Sequence, residues 1–99
     1  MSRRYIYIKV YCAGTVTEEQ FSQTLSASIV KYFGEIGLSQ IAPKIIRYDS
    51  PKSSAVVAFA KDYAAELHAA LAFITHVNES DTLMLPLKTS GTIRGLSNS

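Results

Sequence analysis

Six patterned segments in the order strand, helix, strand, strand, helix, strand predict an α+β fold, a ferredoxin-like (RRM-like) βαββαβ sandwich. Its antiparallel four-stranded sheet runs in the order 4-1-3-2, with both helices on one face. Three observations carry the prediction. Ile6, Ile8 and Val10 alternate with Tyr5, Tyr7, Lys9 and Tyr11, the period of a strand with one buried face. Ser54 to Ala60 is apolar on both faces, which marks a central strand. Pro86 lies in the last strand-like run and cannot donate a ladder hydrogen bond, so that strand belongs at an edge.

Each element has local causes. The first strand runs from Tyr5 to Tyr11, and Ala13-Gly14 breaks it. Thr17-Glu18-Glu19-Gln20 opens a helix: Thr17 and Gln20 make a capping box, and the two glutamates suit the positive helix start. Phe21, Leu25, Ile29 (or Val30) and Tyr32–Phe33 then recur at helical spacing, and Gly34 is a stop. Residues 35–43 are expected to form a loop ending at Pro43. Lys44 to Asp49 is the second strand, and Ser50-Pro51-Lys52-Ser53 a turn with proline preset at its corner. Ser54 to Ala60 is the third strand. Asp62 is placed to cap a second helix with the stripe Tyr63, Leu67, Ala70, Leu71 and Ile74. Asn78 to Asp81 reads as a loop and Thr82 to Thr89 as the fourth strand.

These elements make one domain, residues 1–96, with a short polar tail at 97–99. Apolar residues are 47% and charged residues 18%, a globular mix slightly poor in charge, which hints at surface covered by a partner. The net charge of +2 does not by itself argue for nucleic acid, but its placement is informative. Residues 1–17 hold Arg3, Arg4 and Lys9 and no acid; residues 82–99 hold Lys88 and Arg94 and no acid. A single cysteine, Cys12, excludes an intrachain disulfide and fits an intracellular compartment. No apolar run approaches a membrane span, and no signal-peptide pattern precedes the first strand.

In the expected topology strand 4 lies antiparallel beside strand 1. Arg3 and Arg4 then meet the segment Ser90-Gly91-Thr92-Ile93-Arg94, close to Lys88. Guanidinium groups grip phosphate in a bidentate way, serine and threonine offer hydroxyls, and glycine lets a backbone come close. This patch is the candidate RNA-backbone contact: Arg3, Arg4, Lys88, Ser90, Gly91, Thr92 and Arg94. The alternative is a terminal β-bulge with solvated arginines.

The helix-free face would show Tyr5, Tyr7, Lys9 and Tyr11, with Arg47 or Tyr48 beside them. Aromatic rings on an open sheet are how RNA-recognition motifs stack bases, but the third strand here lacks their aromatic motif. Burial by a protein partner therefore ranks first, coverage by the chain itself second and base stacking last, with Tyr5, Tyr7 and Tyr11 as candidate interface residues. His68 flanks the stripe of the second helix, and His76 sits where a cation would complement that helix's dipole. Cys12 has no evident base or charge partner. No ligand spacing for a metal, phosphate-cradling loop or nucleophile elbow is present, so neither a catalytic residue nor a cofactor is expected.

Four stretches resemble the small ferredoxin-like protein subunits of ribonuclease P and ribonuclease MRP, the group of the Pop-five, Rpp-fourteen and Pop-eight types. They are Arg4-Tyr5-Ile6-Tyr7-Ile8, Lys31-Tyr32-Phe33-Gly34-Glu35, Leu71-Ala72-Phe73-Ile74-Thr75 and the closing Ser90-Gly91-Thr92-Ile93-Arg94, the most specific. The resemblance implies a noncatalytic subunit of an RNA-based endoribonuclease that removes the 5′ leader of precursor tRNA or processes precursor rRNA. It also implies, as partners, a catalytic noncoding RNA, a related small ferredoxin-like subunit and a barrel-like subunit, and a location in the nucleus and nucleolus. Ser90, Gly91, Thr92 and Arg94 match the closing motif by position. Larger members continue past that motif, as this sequence does not; a shorter partner paralogue would end this way, although the motif leans toward the other type.

Two other functions fit the fold. An acylphosphatase-like enzyme needs an arginine-bearing anion cradle after strand 1, where Ala13-Gly14-Thr15-Val16 stands. A small-molecule regulatory module favours a glycine-rich turn there, for which only Gly14 speaks.

Overall fold

A computed structural model describes residues 2–97. Its elements are β1 (Arg3–Cys12), α1 (Glu18–Ile41), β2 (Lys44–Asp49), β3 (Ser54–Ala60), a 3-10 turn (Lys61–Tyr63), α2 (Ala64–Phe73), β4 (His76–Val77), β5 (Ser80–Ser90) and α3 (Ile93–Ser97). The five strands form one antiparallel sheet ordered β2-β3-β1-β5-β4. With β5 as the expected fourth strand, the 4-1-3-2 order is present, extended by the two-residue β4. Pro86 lies in β5 where no strand pairs outside it, because β4 reaches only Ser80 and Asp81.

One face of the sheet meets the helices. Ile6, Ile8 and Val10 of β1, Ala55, Val57 and Phe59 of β3, and Met84 of β5 are buried against Phe21, Leu25 and Ile29 of α1 and Leu67, Ala70 and Leu71 of α2. The Thr17–Gln20 capping box forms with both of its hydrogen bonds. Ser28 Oγ donates to the Ala70 carbonyl at 2.8 Å and ties α1 to the end of α2.

The structure corrects four local expectations. Residues 35–41 continue as helix beyond a break at Gly34, whose φ of 75° and ψ of 179° suit essentially glycine alone. The glycine is a joint rather than a stop, and the loop shrinks to Ala42 and Pro43. Asp62 lies within the 3-10 turn, and α2 starts without a side-chain cap. The loop at residues 78–81 is a tight hairpin turn whose flanks pair, with Asn78 left-handed at φ 57°. His76 therefore belongs to β4, where its Nε2 stands 2.9 Å from Asp81 Oδ1, not to the end of α2.

Candidate nucleic-acid interface

Strand register decides which basic residues meet. Tyr5 pairs with Ser90, Ile6 with Thr89 and Tyr7 with Lys88, so the start of β1 does lie beside the end of β5. Side chains alternate along β1, and Arg3 and Arg4 leave it on opposite faces. Arg4 turns toward Gly91: a Cβ built there would stand 3.7 Å from Arg4 Nη1. Arg94 follows three residues later on α3, a short helix that packs on β1 and β5, and it is exposed.

Local hydrogen bonds shape this corner. Ser90 Oγ accepts the Thr92 N–H at 3.2 Å, and Thr92 Oγ1 accepts the Gly95 N–H at 3.0 Å. Among the described residues neither hydroxyl donates a hydrogen bond, which leaves its proton for an outside acceptor. Gly95 packs closely here: a Cβ there would fall 2.1 Å from Ser90 Oγ, so the serine hydroxyl would have to turn away. Gly91 carries no positive φ and has room for a methyl group. The structure thus gathers Arg4, Ser90, Gly91, Thr92 and Arg94 at one corner.

It places the other two candidates elsewhere. Arg3 Nη2 donates to the Ala42 carbonyl at 2.8 Å, at the left-handed residue that ends α1, where a cation suits the negative helix end. Lys88 stands across from Tyr7 on the helix-free face.

That face can be read in rows from the pairing of β5, β1, β3 and β2. Ser90, Tyr5, Ala58 and Lys44 form one row; Lys88, Tyr7, Val56 and Arg47 the next; Leu85, Lys9, Ser54 and Asp49 a third; Leu83 faces Tyr11 beyond them. Tyr5 and Tyr7 are half-buried and Tyr11 is exposed. Ser54, Val56 and Ala58 are buried although no helix covers them, because long side chains on β1 and β2 stand over them. Tyr48 belongs to the other face: it packs on Phe21 and its hydroxyl donates to the Val16 carbonyl. Burial, and then the neighbouring Cys12, hold its phenol above the usual value. Cys12 takes a neutral hydroxyl as its neighbour: Thr82 Oγ1 lies 3.3 Å from its sulfur. Parity along β1 could have separated Arg3 from Arg4 in advance; the reach of Arg3 to Ala42 spans 39 residues and leaves no local signal.

Comparison with known proteins gives this corner a context. Over 76 residues the chain is 33% identical to ribonuclease P protein component 2 of Aeropyrum pernix, a match covering 77% of this chain and 62% of that protein. The chain thus spans less than two-thirds of that relative's length. Over 93 residues it is 26% identical to the protein of the same name from Pyrococcus horikoshii, covering 94% of this chain and 78% of that one. A chain in the cryo-EM structure of yeast ribonuclease MRP superposes with a TM-score of 0.76 at 11% identity, over 92% of this chain and 75% of that one, a likeness of fold. The model of the Rpp14/Pop5 family matches residues 4–99, nearly the whole sequence, and the chain belongs to that family.

Proposed function

We propose that this chain is a protein subunit of a ribonuclease P or ribonuclease MRP ribonucleoprotein, and that it braces the RNA while the RNA performs the hydrolysis. Membership of the Rpp14/Pop5 family carries the reading, and relatives named as ribonuclease P components support it. The corner of Arg4, Ser90, Gly91, Thr92 and Arg94 is the proposed contact with the RNA backbone. Its two guanidiniums and free hydroxyl protons match phosphate oxygens. Protein partners are proposed too: a related small subunit of the same fold and a barrel-like subunit. Tyr11, Leu83, Leu85 and Leu87 are exposed apolar side chains along β5 and its neighbour, a surface suited to a protein.

Affinity purification of the tagged chain, followed by identification of RNA and protein, tests the reading. Recovery of one abundant structured noncoding RNA together with several basic proteins is the expected result. A monomer that brings down no RNA would overturn it. Acylphosphate hydrolysis by the purified chain would favour an enzyme instead.

A further inference from the structure

The helix-free face divides into two halves of different chemistry. Along β5, Leu83 and Leu85 with Tyr11 make an apolar half. Toward β2 the face turns basic, with Lys44 and Arg47 on β2 and Lys52 on the turn at its end. Arg3 and Lys9 on β1 and Lys88 on β5 lie on the same face, so it holds six of the chain's ten cations. The one carboxylate among them is Asp49, whose Oδ1 accepts the Lys52 backbone N–H at 3.3 Å. A chain with a net charge of only +2 therefore concentrates its excess on a single surface.

This surface is also concave. The small buried residues of β3 floor a trough, with Tyr7 on one wall and Arg47 on the other, both opposite Val56. At its end the trough opens into a hollow of about 240 Å³ lined by Tyr7, Arg47, Asp49, Lys52, Ser54 and Val56. That is below the roughly 300–1,000 Å³ of sites that enclose a drug-sized ligand, and it suits a chain passing over the face. Lys9 Nζ donates to the Lys52 carbonyl and holds the rim in place. Arg47 and the Lys52 ammonium have no side-chain partner among the described residues.

The geometry points to this trough as a second RNA contact, a single-strand groove in which a base rests against the Tyr7 ring while Arg47 and Lys52 hold the adjoining phosphates. An aromatic wall beside unpaired cations is the combination by which proteins take single strands without reading their sequence. The small floor of β3 explains why the aromatic third-strand motif of RNA-recognition motifs is not needed: the base lies in the trough rather than on a ring projecting from β3. The groove rests on the subunit reading for its biological role, and it deepens that reading by adding a site remote from the Arg4–Arg94 corner.

The test is titration of a fluorescein-labelled oligouridine single strand with the purified full-length chain across a series of sodium chloride concentrations. For the double variant Arg47→Ala with Lys52→Ala, the slope of log affinity against log salt should fall by about 0.7 for each phosphate that is no longer neutralised. Tyr7→Ala should weaken binding about 5- to 150-fold. Leu85→Asp, on the apolar half, should leave the Arg47 and Lys52 dependence intact. Because Tyr7 is half-buried, thermal unfolding of every variant checks the fold, and the two exposed cations keep the test valid should Tyr7→Ala fail to fold. Unchanged affinity and slope in the Arg47/Lys52 variant would overturn the groove, as would an effect of that variant on polyglutamate binding alone, which would make the surface an acidic-protein site. Full recovery of the RNA by the tagged Arg47/Lys52 variant, with no change in oligouridine binding, would sink the groove and leave the subunit reading standing. Failure of the wild-type chain to recover RNA would sink the subunit reading, with the titration still deciding the groove.

Discussion

Arg4 lies over Gly91, its Nη1 3.7 Å from where a side chain on that glycine would begin. This contact joins the two ends of the chain. Since 3.7 Å is ordinary van der Waals contact, Gly91→Ala should fold and melt like the wild type, within about 0.5 kcal/mol. Replacing Arg4 and Arg94 with alanine should leave stability similarly unmoved. It should also lower the salt slope of RNA association by about 0.7–0.9 for each phosphate the two guanidiniums neutralise. Filter binding over a salt series checks this, and an unchanged slope would mean that the corner does not touch phosphate.

Two glycines should fail for different reasons. At Gly34 an added methyl meets nothing within 4 Å, so the cost of Gly34→Ala is entirely that of the backbone, about 1–3 kcal/mol. At Gly95 the backbone is permissive, but the methyl would collide with Ser90 Oγ. Gly95→Ala should loosen the Ser90–Thr92 corner and reduce RNA affinity with a smaller loss of global stability. Denaturant unfolding and RNA binding, measured together on both variants, separate the two effects.

Ser28→Ala should cost about 1–3 kcal/mol, measured by denaturant unfolding. The Ile74 N–H bonds to Leu71, so the Ala70 carbonyl depends on Ser28 for its partner at the buried end of α2.

Tyr48 makes stability sensitive to alkali. Its phenol is held above 10.0, first by burial and then by Cys12, so the unfolded chain ionises there first. The stabilising contribution is complete below about pH 10 and is lost as the pH climbs through the raised value. Tyr48→Phe should lower neutral-pH stability by about 1 kcal/mol through loss of the bond to the Val16 carbonyl. Its melting temperature should then fall less steeply than that of the wild type as the pH rises above about 10. Parallel slopes for the two proteins would contradict this.

The sequence showed most of the frame because the frame depends on short-range signals. Alternation at Ile6, Ile8 and Val10, the Thr17–Gln20 box and the apolar run of β3 all act within a few residues. Gly34 misled because a stop and a joint look alike in composition; only the packing of Ile41 and Leu38 against the core distinguishes them. The hairpin at His76 and Val77 is too short to show a period. Among the site candidates, the meeting of Arg4 with Gly91 followed from strand order, whereas the capture of Arg3 by Ala42 and the basic trough on β3 required the register of three strands.

The pairing of β5 with β1 steps between Tyr7–Lys88 and Ile8–Pro86, which leaves Leu87 without an opposite number. Removing Leu87 would therefore close the ladder without moving any downstream side chain to the other side. Homologous chains that differ by one residue just before the closing motif can preserve the whole geometry of the corner, and their alignment gap belongs at this buckle.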